Sequence, residues 1–182
     1  GGKIEVTSGP GEGSTFALKI SLRRAGSVPA SDAVTEAGAS LGGAQLSVLL
    51  AEDHPVNRRI MEILLEPVAH KVLSVRDGEE ALAVLSIQRF DLAIFDIQMP
   101  KMTGLAVAQR AHAMNLDTRI VLLTMLEDKR IFLEAMESGI RGYVLKDSAV
   151  TEILRAISAV CEDKYYISPT LAGLLVRKKS AE

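Results

Sequence analysis

The sequence predicts an α/β fold in which a five-stranded parallel sheet carries helices on both faces. From residue 46 onward, short apolar runs alternate five times with segments whose apolar residues recur at helical spacing. Strands that alternate with helices across short connections form parallel sheets with right-handed crossovers. Continuous apolar runs, rather than alternating ones, also indicate a sheet that is buried on both faces. The simplest arrangement is the flavodoxin-like strand order 2-1-3-4-5, preceded by a β-hairpin.

The N-terminal part of the chain differs from this pattern. Residues 3–8 and 14–22 alternate like half-buried strands on either side of a glycine-rich turn, so residues 1–22 are expected to form a hairpin. Two strands bury too little surface to be stable alone, and the hairpin is therefore expected to end an incomplete domain. Residues 23–45 are rich in Ala, Gly and Ser without periodicity, which predicts a flexible linker.

The strand–helix units occupy residues 46–163, and residues 164–182 are expected to form a tail with one short helix over 168–177. Strands are predicted at residues 46–51, 71–75, 92–95, 119–124 and 142–145. The second of these is the least apolar and is expected near an edge. Local signals also place the helices: Pro55 in the first turn of the first helix, Asp77-Gly78 before the second, Gly104 at the start of the third, Gly139 after the fourth and Asp147 as the cap of the fifth.

Apolar residues in the first of these helices recur at the spacing of a helix. Residues Val56, Ile60, Ile63 and Leu64 keep helical spacing there.

Composition sets bounds on partners and compartment. The chain has 182 residues, 48% of them hydrophobic, no tryptophan and a net charge of −2, so bulk electrostatics gives no reason to expect nucleic-acid binding. The single cysteine, Cys161, excludes an intramolecular disulfide and suits a reducing compartment. No apolar run approaches the ~20 residues of a membrane span, and no signal peptide is visible. We therefore expect a cytoplasmic segment of a longer chain, whose membrane anchor would lie upstream.

Polar side chains follow four of the five predicted strands at their carboxyl ends. These residues are Glu52-Asp53, Asp96, Thr124 and Lys146. In the order 2-1-3-4-5 the four strands are neighbours, so their ends converge on one crevice, which is where open α/β sheets bind ligands. Clustered carboxylates are destabilising without a cation, and hard oxygen ligands in this number suit Mg²⁺. A carboxylate nucleophile in such a site would form an acyl phosphate.

Each of these residues has a simpler explanation when it is taken alone. An aspartate or an acid pair at a strand end can cap the next turn, a threonine can be an ordinary strand-end hydroxyl, and a lysine is usually exposed. Their joint placement favours a site over these explanations.

Together these residues resemble the receiver domain of two-component signalling. The motifs are Glu52-Asp53, Asp96 with Met99-Pro100 and Gly104, Thr124, Tyr143-x-x-Lys146, and Asp77-Gly78-x-Glu80-Ala81-Leu82. The resemblance covers about residues 46–161. It implies that Asp96 is the phosphoacceptor and a ligand of Mg²⁺. It also implies that Asp53 binds Mg²⁺ directly, that Glu52 does so through water, and that the backbone carbonyl of Gln98 completes the set.

The same resemblance implies roles for three further residues. Thr124 and Tyr143 would be a switch pair, in which the hydroxyl moves toward the phosphoryl group and the ring turns inward. Lys146 would pair with Asp96 or with its phosphate. Two positions depart from the commonest receiver pattern, because Asp147 stands where many receivers have proline and Met125 is larger than the usual small residue.

The first residues resemble a second family. Two segments, Gly1-Gly2-Lys3-Ile4-Glu5-Val6 and Ser8-x-x-Gly11-x-Gly13-Ser14-Thr15-Phe16, resemble the last hairpin of the histidine-kinase ATP-binding domain. The segments that hold ATP in that family lie upstream, so this chain is not expected to be a turnover enzyme. The resemblances imply a receiver within a hybrid sensor histidine kinase. The implied partners are a histidine-kinase phosphodonor domain and a histidine phosphotransfer protein. The implied dimer forms through the face of the fourth helix, fifth strand and fifth helix.

Two other functions stay open. The Gly142–Asp147 segment and Ile167-Ser168-Pro169 are similar to NarL-like DNA-binding response regulators, but only 36 residues follow Lys146, too few for a helix-turn-helix. An aspartyl-phosphate hydrolase would also use a strand-end nucleophile. Such enzymes want a second acid two residues later, and here that residue is Gln98.

Overall fold

The computed structural model describes residues 3–9, 13–19, 46–125 and 128–172. Contacts divide the chain into two compact units, Gly1–Asp32 and Ala33–Glu182. The first unit contains an antiparallel hairpin in which β1 (Lys3–Gly9) pairs with β2 (Gly13–Lys19). The predicted hairpin strands are therefore present, whereas the predicted linker, residues 23–45, lies outside the described residues.

The second unit is built on a six-stranded parallel sheet. Its strands are β3 (Leu46–Ala51), β4 (Ala69–Val75), β5 (Leu92–Asp96), β6 (Arg119–Thr124), β7 (Gly142–Leu145) and β8 (Tyr166–Ile167), in the order β4-β3-β5-β6-β7-β8. The flavodoxin-like fold and the order of its first five strands are confirmed, with the second predicted strand at an edge. Strand β8 was not predicted. Two residues are too short to show a period, and their pairing with β7 depends on where the chain returns in space.

Among the described residues, five helices of nine or more residues cover the two faces of this sheet: α1 (Pro55–Leu65), α2 (Gly78–Ile87), α3 (Gly104–Ala113), α4 (Lys129–Glu137) and α5 (Ala149–Cys161). The local signals account for most of their ends. Pro55 lies in the first turn of α1, and the Asp77 side chain accepts a hydrogen bond from Glu80 N at 2.9 Å before α2. Gly139 follows α4 with φ of 76°, a left-handed conformation that glycine adopts without strain.

One sequence expectation about the helices is wrong. Asp147 does not cap α5, because Lys146–Ser148 form a 3₁₀ turn and Ser148 is the residue before the helix. The predicted helix α1 is present, but most of the apolar residues that keep helical spacing in it are not its buried residues. Val56, Ile60 and Ile63 are 58%, 42% and 49% exposed, and the buried residues are Met61 and Leu65.

The sheet separates two apolar cores. On one face, alternate strand residues such as Leu49 and Phe95 pack with α2, α3 and α4. On the other face, Val48 and Ile94 pack with α1 and α5. Because both faces are covered, the central strands β5 and β7 are buried along their whole length, whereas the edge strand β4 carries the polar residues His70, Lys71 and Ser74. In the part of the chain that the structure describes, none of the helices has the length and apolar character required to cross a membrane.

Of the predicted tail helix over 168–177, residues 169–172 are helical and residues 173–177 lie outside the described part of the chain.

Candidate functional site

Three carboxylates converge at the carboxyl ends of β3 and β5. Glu52 and Asp53 follow β3, and Asp96 is the last residue of β5. One oxygen from each lies within 4.8 Å of the others. Glu52 is fully buried and Asp96 is 2% exposed, whereas Asp53 is exposed. The adjacency of β3 and β5 brings these acids together, as the strand order predicted.

Lys146, immediately after β7, reaches into this acidic cluster. Its Nζ lies 2.7 Å from Glu52 Oε2 and 2.6 Å from Asp96 Oδ2, and its side chain is 14% exposed. Burial acts to lower the pKa of Lys146, but the hydrogen bonds to Asp96 and Glu52 outweigh it and raise that pKa. Burial raises the pKa of Asp96, and the hydrogen bonds from Lys146 and from Gln98 N oppose that shift. The ammonium is therefore held as a charged partner of two buried carboxylates.

The donor set fits a divalent cation. With all three carboxylates ionised and Lys146 charged, the cluster carries two uncompensated negative charges. Buried carboxylate oxygens with excess negative charge are the hard ligands that Mg²⁺ prefers. The exposed Asp53 leaves a route from solvent to the cluster.

The backbone around Asp96 is held by the start of α3. Gln98 N donates to Asp96 Oδ1 at 3.0 Å, and Gly104 N donates to Ile97 O at 3.2 Å. A Cβ atom at position 104 would lie 2.2 Å from Asp96 O, so only glycine allows this approach. The Gln98 side chain points toward solvent, and this residue contributes its backbone to the site.

Arg58 is a site residue that the sequence did not reveal. Its Nη1 donates to Glu52 O at 2.9 Å and to Asp53 O at 3.3 Å, so one guanidinium of α1 ties down the backbone of the acid pair. Asn57 adds a weaker contact, since its Nδ2 lies 3.4 Å from Glu52 Oε1. An arginine one turn after Pro55 was a weak signal, because arginine is common on exposed helix faces.

Thr124 and Tyr143 lie on β6 and β7, the two strands that follow β5 in the sheet. Thr124 is fully buried at the end of β6 and pairs in register with Leu145. The Tyr143 ring is also fully buried and meets the Phe132 ring edge to face, with centroids 5.3 Å apart. Burial raises the pKa of the Tyr143 phenol, and the neighbouring Thr124 hydroxyl partly offsets that shift. Tyr143 Oη has no partner of good hydrogen-bond geometry among the described residues.

An apolar rim borders the acidic cluster. A groove between α1 and α5 includes Glu52 and Lys146 at one end, and its apolar lining consists mainly of Ile60, Met61, Leu64, Leu123, Met125, Ala149 and Val150. Ile60, Met125 and Val150 are 42%, 53% and 62% exposed. Large apolar side chains grouped beside a polar site are typical of contact surfaces.

Comparisons with known proteins agree with this geometry. Residues 48–158 match the family model described as response regulator receiver domain. The chain is 30% identical over 142 residues to the "Probable transcriptional regulatory protein NarL" of Mycobacterium tuberculosis, covering 75% of this chain and 66% of that protein. It is 32% identical over 164 residues to the "Sensor histidine kinase AruS" of Pseudomonas aeruginosa, covering 88% of this chain and 16% of that protein.

The fold is also found among solved structures. The signal receiver domain of the putative response regulator NarL from Mycobacterium tuberculosis superposes with a TM-score of 0.61 at 30% identity. That superposition covers 66% of this chain and 98% of the NarL domain.

Proposed function

The chain belongs to the response regulator receiver family, and on this premise we propose that Asp96 accepts a phosphoryl group from a phosphohistidine. The observation that carries the proposal is the ion-pair arrangement in which Lys146 Nζ lies 2.6 Å from Asp96 Oδ2 and 2.7 Å from Glu52 Oε2. This arrangement combines a buried carboxylate nucleophile with a fixed cation beside it. Phosphoryl transfer depends mainly on such positioning and charge neutralisation.

The reaction follows from these groups. A carboxylate oxygen of Asp96 bonds to phosphorus while the phosphorus–nitrogen bond of the phosphohistidine breaks, and the leaving imidazole nitrogen takes a proton. The product is an acyl phosphate on Asp96. Lys146 stays close enough to pair with the new phosphoryl oxygens. Gln98 N, which already donates to Asp96 Oδ1, holds the carboxylate in one orientation.

We further propose that Asp53, Asp96 and the Gln98 carbonyl hold Mg²⁺, with Glu52 acting through water. When bound, Mg²⁺ neutralises charge on the transferring phosphoryl group. Thr124 and Tyr143 form the switch pair of this proposal, supported by the burial of both side chains beside the site. The phosphorylated conformer would then differ on the face formed by α4, β7 and α5, which is where we expect a dimer or an output partner to bind.

The exposed apolar residues beside the acidic cluster suit the binding of a phosphodonor domain. A phosphohistidine must approach Asp96 past Ile60, Met125 and Val150, whose exposed apolar surface a donor domain would cover. We propose that the donor is a histidine-kinase phosphodonor domain or a histidine phosphotransfer protein in the cytoplasm. No role in nucleic-acid binding is proposed for the described residues.

We also propose that the parent protein is a hybrid sensor histidine kinase. The match to AruS covers 88% of the chain and leaves about 22 residues unmatched. Because more residues than that precede Leu46, the match includes part of the sequence before the receiver domain. The hairpin of β1 and β2 is compatible with the end of a kinase ATP-binding domain. The second candidate is a NarL-type regulator, which the similarity to NarL favours. A phosphorylatable histidine and an ATP site encoded directly upstream would support the kinase, and their absence there would favour the regulator.

Acetyl phosphate with Mg²⁺ tests the phosphoacceptor. We expect one phosphoryl group per chain by intact-mass spectrometry, and none on Asp96→Asn. Asp117→Asn, an exposed acid away from the site, is the matched control and should react like the wild type. Equal modification of Asp96→Asn would contradict the proposal. Steady turnover of a small phosphate ester without accumulation of the modified chain would instead support a hydrolase.

A further inference from the structure

Beyond α5, the chain returns to the sheet and docks along β7. Strand β8 pairs in parallel with β7, with Tyr166 opposite Gly142 and Ile167 opposite Tyr143. Tyr166 N donates to Arg141 O at 2.8 Å, and Ser168 N donates to Tyr143 O at 2.9 Å. We name residues 166–172 the C-terminal strap. It converts β7 from an edge strand into an internal one.

The side chain of Ser168 adds two hydrogen bonds to those that the strap backbone makes. Ser168 is fully buried, and its Oγ accepts a hydrogen bond from Leu145 N at 2.9 Å. The same hydroxyl donates to Glu152 Oε2 in the first turn of α5. One hydroxyl therefore joins the strap to β7 and to α5. Leu145 directly precedes Lys146, so this bond fixes the backbone next to the lysine of the site.

The apolar side chains of the strap complete the core around Tyr143. Leu171 is 4% exposed and belongs to the same apolar cluster as Tyr143 and Phe132, and Ile167 packs against that cluster. Ile167 is also the register partner of Tyr143 in the β7–β8 pair, so the strap lies beside this residue in the sheet as well as in the core.

The strap therefore bonds directly to the backbone of Tyr143 and to that of Leu145, the residue before Lys146. We infer that docking of the C-terminal strap and phosphorylation of Asp96 are thermodynamically coupled, each favouring the other. The inference rests on the proposed function, because it takes Asp96 as the phosphoacceptor. Coupling of this kind is reciprocal: if the strap favours the phosphorylated site, then phosphorylation must tighten the strap by the same factor.

The first test uses variants of the full chain. Ser168→Ala removes the buried hydroxyl, Leu171→Ala removes apolar contact, and Thr170→Ala, an exposed residue of the same strap, is the matched control. With acetyl phosphate and Mg²⁺, we expect the first two variants to lower the steady-state ratio of modified to unmodified chain by about fivefold or more. The control should match the wild type. Far-ultraviolet circular dichroism checks that each variant is folded.

The second test needs no substitution in the strap. Amide hydrogen exchange at Ser168 and Leu145 is followed in the wild type with Mg²⁺ alone and with Mg²⁺ plus acetyl phosphate. We expect acetyl phosphate to slow exchange at both amides by about fivefold or more, and to leave exchange in Asp96→Asn unchanged.

The outcomes separate the two proposals. A wild type that is not modified overturns the phosphoacceptor and the coupling together. A wild type that is modified on Asp96, with strap variants equal to Thr170→Ala or with unchanged exchange at Ser168, overturns only the coupling. If Ser168→Ala and Leu171→Ala fail to fold, the exchange experiment on the wild type decides alone.

Discussion

Replacing Lys146 by methionine should destabilise the protein strongly, and magnesium should reverse part of that loss. Methionine keeps most of the side-chain volume but removes the ammonium that lies 2.7 Å from Glu52 Oε2 and 2.6 Å from Asp96 Oδ2. Both carboxylates are almost completely buried. The variant therefore leaves two neighbouring buried negative charges without their cation.

Two arguments set the magnitude. Removing one partner of a buried ion pair costs about 3–5 kcal/mol, because the remaining charge is uncompensated. The protein can instead protonate one carboxylate, which at pH 7 costs ~4 kcal/mol for an ordinary aspartate. We expect a loss of about 3–4 kcal/mol at pH 7. At pH 5 protonation costs only ~1.5 kcal/mol, so the loss should shrink accordingly.

Urea unfolding measures these losses. Because the chain contains no tryptophan, far-ultraviolet circular dichroism is the suitable signal. Unfolding is followed at pH 5 and pH 7, in chelator and in excess Mg²⁺. A ligand at about 100 times its Kd stabilises by ~2.7 kcal/mol, and the gain should be larger in Lys146→Met, whose site is more negative. Lys101→Met is the control, since the Lys101–Asp77 pair has the same 2.6 Å distance but a 56% exposed lysine. It should cost much less.

A loss below about 1 kcal/mol in chelator at pH 7 would contradict this prediction, since the site would then not be desolvated enough to need its cation. The prediction would also fail if the loss were equal at pH 5 and pH 7, or if Mg²⁺ stabilised the variant no more than the wild type.

Three further predictions concern the surroundings of the cluster. Gly104→Ala places a methyl group 2.2 Å from Asp96 O. We expect the free energy of unfolding in urea to fall by about 1–3 kcal/mol and phosphorylation by acetyl phosphate to become slower. An unchanged rate of phosphorylation would contradict the positioning of Asp96 by α3. Burial raises the pKa of Asp96 above 3.8, so the folded state keeps a proton that the unfolded state has already lost. The free energy of unfolding in chelator should therefore fall as pH rises from 3.8 through the folded pKa of Asp96. The variant Asp96→Asn should lack this decline. Arg58→Met should weaken Mg²⁺ binding about tenfold in a calorimetric titration, because the backbone of the acid pair loses its guanidinium contact. The control is Arg59→Met, which should leave Mg²⁺ binding unchanged because the Arg59 side chain is 67% exposed. Equal effects of the two substitutions would count against a positioning role of Arg58.

The candidate site was predictable because its residues occupy special places in local patterns. Asp96 and Lys146 each follow an apolar run directly, and in a parallel sheet such positions lie at one edge. Short connections and right-handed crossovers restrict the strand order, so the convergence of Glu52 with Asp96 followed without coordinates. Gly104 and Gly139 were likewise visible, since glycine marks close approaches and left-handed turns.

Other features needed the folded chain. The spacing of apolar residues on α1 did not reveal that Ile60 faces solvent, because periodicity shows that a helix has an apolar face but not which apolar residues the neighbours cover. Arg58 looks like any surface arginine until its Nη1 is found on the carbonyls of the acid pair. Asp147 follows a strand end as a cap would, but the 3₁₀ turn moves the helix start past it.

The sequence by itself therefore determined the parallel fold, the order of its first five strands and the residues that meet at their carboxyl ends. These properties depend on local periodicity and on general rules of chain connection. Only the tertiary structure decided that Lys146 pairs with two acids at once, that Arg58 holds their backbone, and that the strap docks on β7 through Ser168. Such contacts join residues far apart in the chain, and their geometry depends on the packing of all the elements between them.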